Sequence, residues 1–275
     1  MNTNLVQLII GFISASLVSI TAWKIKSLNP GGALSAAILG TIVFGLGGIS
    51  WAVLLLGFFI SSSGLSRLLA KRKAALNEKF SKGSQRDTGQ VLANGGIAGL
   101  CVLLHMLYPQ NTWTWFAFAG SMAAVNADTW ATELGVLSSQ VPRMIHSGKK
   151  VERGSSGAIT FAGTLAAFLG ALFIALLALP FWKSFLPSTT TTSIILYTLL
   201  ISLAGLVGSL IDSFLGATVQ TIYHCPSCNK ETERHPLHTC GSVTNKIRGW
   251  RWLDNDWVNI FCSLGGAVIA IFLIM

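Results

Sequence analysis

Asn126-Ala127-Asp128-Thr129-Trp130-Ala131-Thr132-Glu133-Leu134-Gly135 ends an apolar run that begins near Trp113. Two carboxylates, an amide and two hydroxyls close a segment otherwise fit for a membrane. An ionisable side chain at membrane depth costs about 3 kcal/mol or more. It persists where it lines a polar cavity, binds a cation, or meets a partner inside a helical bundle. Residues three or four apart share a helix face. Asn126, Thr129 and Glu133 therefore form one polar stripe, with Asp128, Thr132 and Gly135 as a second beside it. A helix with two polar stripes cannot face lipid all round, so this one belongs inside a bundle.

The rest of the chain supplies the bundle. It has 275 residues, 52% hydrophobic and 11% charged, where a soluble domain carries about 25% charged residues. That composition fits an all-α, polytopic integral membrane protein. Eight apolar segments can be read, at 5–22, 33–47, 49–66, 91–107, 114–135, 157–181, 193–220 and 258–275. They form one transmembrane domain over 1–275, with a loop at 221–251 between the last two. Segments 33–47 and 49–66 meet at Gly47-Gly48, which leaves open two helices or one bent helix. The first segment lacks a charged leader and a small-residue cleavage site, so it reads as a retained helix.

Charge gives these segments a direction. Eight spans alternate the sides of their connections. All but one of the 19 Lys and Arg residues then fall on one side. They lie at Lys24 and Lys26, from Arg67 to Arg86, from Arg143 to Arg153, and from Lys230 to Arg251. Only Lys183 lies opposite. The positive-inside rule makes the basic side cytoplasmic and puts both termini on the other side. In an organelle the basic side would be the equivalent of the cytoplasmic one. The net charge of +9 is spread over short loops, a pattern for a membrane surface and not for nucleic acid.

The polar residues inside the segments crowd the same face. Asp87, Gln90 and Asn94 open the fourth segment, and the Asp128–Glu133 cluster closes the fifth. Gly154-Ser155-Ser156-Gly157 precedes the sixth. Ser209, Asp212, Ser213, Gly216 and Gln220 lead out of the seventh, and Asp254, Asn255, Asp256 and Asn259 open the eighth. Five helix ends converging on one depth predict a polar cavity. Mg²⁺ takes oxygen ligands from one or two carboxylates and is completed by water and phosphate. Asp128 and Asp212, with Asp254 or Asp256, are the candidate ligands. A glycine-rich helix start at Gly154–Gly157 would offer backbone N–H groups to phosphate, and Lys149, Lys150 and Arg153 would add charge. Metal, cradle and clamp are what phosphoryl transfer requires. The small-residue stripe Gly157, Thr160, Gly163, Thr164, Ala167, Gly170 reads instead as close helix packing, and Cys101 and His105 read as packing too.

The last basic loop carries a separate signal: His224-Cys225-Pro226-Ser227-Cys228, then His235, His238 and Cys240. A Cys-x-x-Cys turn followed by His and Cys suits a closed, structural Zn²⁺ site. Cys225, Cys228, His238 and Cys240 are the expected ligands, with His235 in reserve.

Four blocks resemble a known membrane family. They are Gly83-x-x-Arg86-Asp87-x-Gly89-Gln90-Val91-x-Ala93-Asn94-Gly95-Gly96, Asn126 to Glu133, Gly154-Ser155-Ser156-Gly157-x-x-Thr160-x-x-Gly163-Thr164, and Asp212-Ser213-x-x-Gly216-Ala217-x-x-Gln220. The family is domain of unknown function 92, which includes transmembrane protein 19 and phytyl-phosphate kinase. The kinase branch implies transfer of a phosphoryl group from CTP or another nucleoside triphosphate to an isoprenoid monophosphate in the bilayer. A fainter similarity links Asp128-Thr129-x-Ala131 and Lys150-Val151-Glu152-Arg153-Gly154-Ser155 to polyprenol kinases and phosphatidate cytidylyltransferases. Arg153 is an insertion against that second pattern.

On this reading Asp128, Glu133, Asp212, Lys149, Lys150 and Arg153 are the catalytic candidates. Arg86, Asp87, Asn94, Asn126, Thr129, Gly154, Ser155, Ser156, Gly157, Ser213 and Gln220 would bind substrate and phosphate. Mg²⁺ would sit on Asp128, Asp212 and Asp256. The rival expectation is a transporter with a cytoplasm-facing polar site.

Overall fold

Caps and glycines set where each helix begins. The computed structural model describes residues 5–73, 85–188 and 190–275. The middle of the second basic loop, with Lys79 and Lys82, and Gly83 of the first family block lie outside the described residues. Helix α1 (Leu5–Lys24) is followed by α2 (Pro30–Gly40). Asn29 caps α2, its Oδ1 accepting from Gly32 N at 2.7 Å, and Pro30 fills the first turn, where no N–H is needed. The helix runs on as a π-helical turn, Thr41–Gly47, and stops at Gly48. The φ of 87° at Gly48 is a left-handed value that glycine adopts freely. α3 (Ile49–Lys73) starts directly after it. Segments 33–47 and 49–66 are therefore two helices, each long and apolar enough to cross a membrane.

A capping box opens α4 (Thr88–Leu107): Asp87 Oδ1 accepts from Gln90 N at 2.9 Å, and Gln90 Oε1 accepts from Asp87 N at 3.2 Å. α5 (Trp113–Gly135) follows. Thr160 caps α6 (Phe161–Ala178), and a 3₁₀ turn at Leu179–Phe181 leads into the short α7 (Trp182–Phe185). α8 (Thr191–Thr218) is capped by Thr190, and α9 (Asn255–Ile274) by Asp254, which accepts from Asp256 N and Trp257 N. The two-residue strands β1 (Arg143–Met144) and β2 (Ala158–Ile159) pair antiparallel. The last loop folds as a three-stranded antiparallel sheet of β3 (Ile222–Cys225), β4 (Lys230–Thr232) and β5 (Asn245–Arg248), in the order β4-β3-β5.

Among the described residues, seven helical stretches are long and apolar enough to span a membrane. The eighth long helix, α5, is not among them, and its place in the bundle explains why. It packs against α3, α4, α6, α8 and α9, and every residue from Thr114 to Ala127 is buried. Enclosed by protein over that stretch, it needs no lipid-compatible surface there.

The bundle has two unlike ends. Where α5 starts, Trp51, Trp115, Phe118 and Trp182 are buried together, and Trp115 stacks on Phe185 at 4.3 Å. His105 Nδ1 lies 2.9 Å from Thr114 Oγ1 in this plug, so it is a packed core histidine. Where α5 ends, its carboxylates face open space. Between the two ends, α5, α8 and α9 cross at small residues. A Cβ on Gly208 would lie 2.5 Å from that of Ala124 and 2.9 Å from the carbonyl oxygen of Cys262. Replacing Gly208 by Val is expected to cost about 1–3 kcal/mol by overpacking, read as a lower unfolding midpoint in detergent. Gly96→Ala, at a position with open space, should leave the midpoint unchanged; equal midpoints for both variants would refute this packing assignment.

One local expectation is corrected here. The sixth helix begins at Phe161 and not at residue 157. Gly154 and Gly157 hold φ of 77° and 79°, values a right-handed helix excludes, and β2 separates them from α6. The Gly154–Gly157 stretch is a loop in its own right.

Candidate functional site

The described parts of the four basic loops come together at one end of the bundle. Arg86 N donates to Ser27 O and Asn29 N donates to Arg86 O, tying the first loop to the start of α4. The 142–160 hairpin is held by β1–β2 pairing and by bonds from Val151 N to Pro142 O and Ile145 N to Gly157 O. It is fastened to the end of α8, where Ser156 Oγ donates to Gln220 Oε1 at 2.7 Å. Arg248 of β5 donates to the carbonyls of Ala217 (2.5 Å) and Ser156 (3.4 Å). Gln220 Nε2 then reaches Glu233 Oε1, just past β4, at 2.9 Å. Backbone closeness allows this: a Cβ on Gly157 would collide with the backbone N of Ala217.

These elements enclose a polar cavity of about 380 Å³. Arg86, Gln90 and Asn94 line it from the start of α4, and Asp128, Thr129, Thr132 and Glu133 from the end of α5. The hairpin contributes Arg153, Gly154, Ser155, Ser156 and Gly157; α8 and its exit contribute Ser209, Asp212, Ser213 and Gln220; α9 contributes Asn255 and Asn259. Residues far apart in sequence are thus brought to one wall.

Several sequence candidates stand elsewhere. Asn126 is fully buried below the cavity, its Nδ2 donating to Gly170 O at 2.7 Å and its Oδ1 accepting from Ser61 Oγ at 2.9 Å. It clasps α3, α5 and α6 together. Asp87 is the α4 cap, and Lys149 and Lys150 are exposed and outside the cavity wall. Asp256 is also absent from the wall, while its neighbour Asn255 lies in it. Gly163 and Gly170 pack closely, against Gly135 and Trp130, although Gly163 also lines the cavity. Glu233 is the charged residue of the described cavity wall that the sequence did not single out, and Ser66 is a polar one. The only signal for Glu233 is an acid in a basic loop.

The charges are arranged in opposition. Asp128 and Asp212 are near enough to feel each other's charge, and Asp212 Oδ2 is buried with no hydrogen-bond partner among the described residues. Two crowded carboxylates with an unpartnered oxygen suit a bound cation. Arg86 lies 5.1 Å from the Phe58 ring centre, within reach of a cation–π contact. Burial pulls its guanidinium down to about 10 while Glu133 opposes that shift, so it stays charged at neutral pH. Glu133 also accepts from Ser66 Oγ at 2.7 Å.

A second cluster lies in the three-stranded sheet. Cys225, Cys228, His238 and Cys240 offer ligand atoms that all lie within 4.8 Å of one another and could hold a metal ion. Cys225 Sγ is 3.5 Å from Cys240 Sγ, and His238 Nδ1 is 3.3 Å from Cys240 Sγ and 3.6 Å from Cys228 Sγ. Ligands about 2.0–2.3 Å from a tetrahedral ion are separated by about these distances. Hydrogen bonds with Ser242 and His238 pull the Cys240 thiol down to about 5. Cys228 is pushed up to about 11, first by its hydrogen bond with Cys240. A divalent cation would relieve that crowding of thiols. His235 instead stacks on Tyr223 at 4.4 Å. His238→Ala should therefore abolish metal binding and His235→Ala preserve it, measured as metal per protein by mass spectrometry; the reverse result would reassign the ligand.

The chain is similar to known proteins along nearly its whole length. Residues 13–267 match the family described as integral membrane protein DUF92. Protein PGR of Arabidopsis thaliana is 35% identical over 94% of this chain and 93% of its own length. An uncharacterized membrane protein of Methanocaldococcus jannaschii is 33% identical over 78% of this chain and 83% of its own. Protein VTE6, chloroplastic, of Arabidopsis thaliana is 22% identical over 90% of this chain and 65% of its own. No solved structure matches the chain.

Proposed function

The chain belongs to the DUF92 family of integral membrane proteins, and from that premise we propose that it is a kinase of isoprenoid monophosphates working at the basic face of its membrane. The observation that carries this reading is the cavity itself. It joins Asp128 and Asp212 to Arg86, Arg153 and a glycine-bent loop at one end of a bundle whose other end is a packed aromatic plug. A phosphate binder needs cations and backbone donors, and a phosphoryl donor needs a metal-holding carboxylate pair. The resemblance of the sequence blocks to the phytyl-phosphate kinase branch points the same way.

Asp128 and Asp212 would hold Mg²⁺, which supplies charge neutralisation to the donor phosphates. An oxygen of the lipid monophosphate forms the new bond to the γ-phosphorus of CTP or a related triphosphate. The bond between that phosphorus and the bridging oxygen breaks, and the nucleoside diphosphate leaves. The nucleophile is already an anion, so no strong base is required. Arg86, seated between Phe58 and Glu133, would bind one phosphate, and Arg153 with the 154–157 loop another. Gln90, Asn94 and Ser213 would orient them. Zn²⁺ on Cys225, Cys228, His238 and Cys240 would hold the sheet that carries Glu233 to the wall. Under the positive-inside rule this face is cytoplasmic or its organellar equivalent, with both termini opposite.

The transporter reading needs a path across the bundle, and the buried aromatics at the far end favour a surface enzyme. The test uses purified protein in nanodiscs with Mg²⁺, labelled triphosphates and prenyl monophosphates of ten to twenty carbons. Label in an organic-extractable diphosphate is expected. Its absence with all four nucleoside triphosphates, in folded protein, would overturn the proposal.

A further inference from the structure

Beside the polar cavity lies a second, apolar one of about 150 Å³, bounded by α1, α2, α3 and α4. Val18, Leu39, Phe44, Leu55 and Phe58 are among its walls, which are almost entirely hydrocarbon. Its charged and amide lining, Arg86, Gln90 and Asn94, comes from the start of α4, and its other polar side chains are the hydroxyls Ser14 and Ser19 of α1. The same three α4 residues line the polar cavity. The start of α4 is thus a shared rim, with hydrocarbon on one side and the carboxylate pair on the other.

The two compartments together have the polarity of an amphiphile with an anionic head. Arg86 is fixed at their junction by the Phe58 ring, itself a wall of the apolar cavity, and by the charge of Glu133 from the polar one. An apolar cavity of about 150 Å³ stays dry and accepts a hydrocarbon the size of benzene, about six carbons. One isoprene unit has five. Beyond the walls, Leu17 of α1 and Leu34 and Ile38 of α2 are exposed, as lipid-facing side chains would be.

Resting on the kinase reading, we propose that this cavity is the tail subsite: it holds the isoprene unit next to the phosphate of the lipid substrate, while Arg86 holds the phosphate. The remaining units leave the protein for the bilayer. Recognition is then confined to the first unit, so monophosphates of ten, fifteen and twenty carbons should bind within about threefold of one another. Filling the cavity should weaken all of them together.

The experiment is photo-crosslinking in nanodiscs with a geranyl monophosphate that carries a diazirine on its first isoprene unit, mapped by peptide mass spectrometry. Label on α1–α4 peptides around Val18, Leu39 and Leu55 is expected, displaced by unlabelled geranylgeranyl monophosphate. It should fall at least tenfold in Ala36→Phe and in the milder Ala52→Leu, each checked for an unchanged unfolding midpoint. Displaceable label found on α6 or α8 would overturn the subsite and leave the kinase reading standing. Label spread over the lipid-facing residues of all helices and not displaced would mean annular contact only, and would also overturn it. Displaceable label in this cavity without any phosphoryl transfer would support the subsite for a lipid monophosphate while the kinase reading fails.

Discussion

Asp128→Asn is expected to lower phosphoryl transfer by about 10²–10³-fold, the usual consequence of removing one preorganised charge-stabilising group. The substitution keeps the size of the side chain and the wall of the cavity. It removes one of the two carboxylates that face each other there. Asp212→Asn should act alike, because its buried Oδ2 has no hydrogen-bond partner to lose among the described residues and it lines the same cavity. The double variant should be little worse than either single one, as expected for residues acting as a unit. Higher Mg²⁺ should partly restore the single variants if the loss lies in cation affinity. Wild-type turnover by folded Asp128→Asn would remove the pair from the chemistry.

The second large effect is expected far from the reacting phosphates. Cys225→Ser combined with Cys228→Ser should abolish metal binding by the four-ligand cluster and lower turnover at least tenfold, although neither residue lines the cavity. The path is physical. β3 carries Cys225 and pairs with both β4 and β5. Glu233 leaves β4 for Gln220 and the cavity, and Arg248 leaves β5 for the carbonyls that join the hairpin to α8. Burial pulls the Arg248 guanidinium down, with Glu231 and Glu233 opposing, so loosening the sheet disturbs both links. Loss of metal is read by mass spectrometry and sheet opening by faster amide exchange at 222–248. Wild-type turnover by a metal-free variant would make the sheet irrelevant to the cavity. Gln220→Ala, which leaves the ligands intact, should keep the metal and still lower turnover.

Much of the architecture was legible in the chain. Each apolar run became a long helix because a bilayer-depth segment must satisfy its own backbone hydrogen bonds. That Asp87, Thr160 and Asp254 cap α4, α6 and α9 was not legible: the sequence read the two acids as site residues and Thr160 as part of a packing stripe. The metal-ready cluster was legible too, since four ligands in a short loop need only local folding. Glu233 was not, because nothing local distinguishes a cavity acid from a solvated one. Asn126 was legible as polar and buried but not as a clasp, since its partners Ser61 and Gly170 come from two other helices.

The sequence by itself determined what each segment is: which runs are helices, which loops share a face, and where the acids crowd. It could do so because hydropathy and charge act over a few residues. The tertiary structure decided which polar groups look into the same space. It turned Gly154–Gly157 from an expected helix start into a left-handed loop against Ala217, and left Lys149 and Lys150 outside the wall. It also set the apolar cavity against the polar one across Arg86. Those outcomes depend on how backbones approach across distances of dozens of residues, which no local pattern encodes.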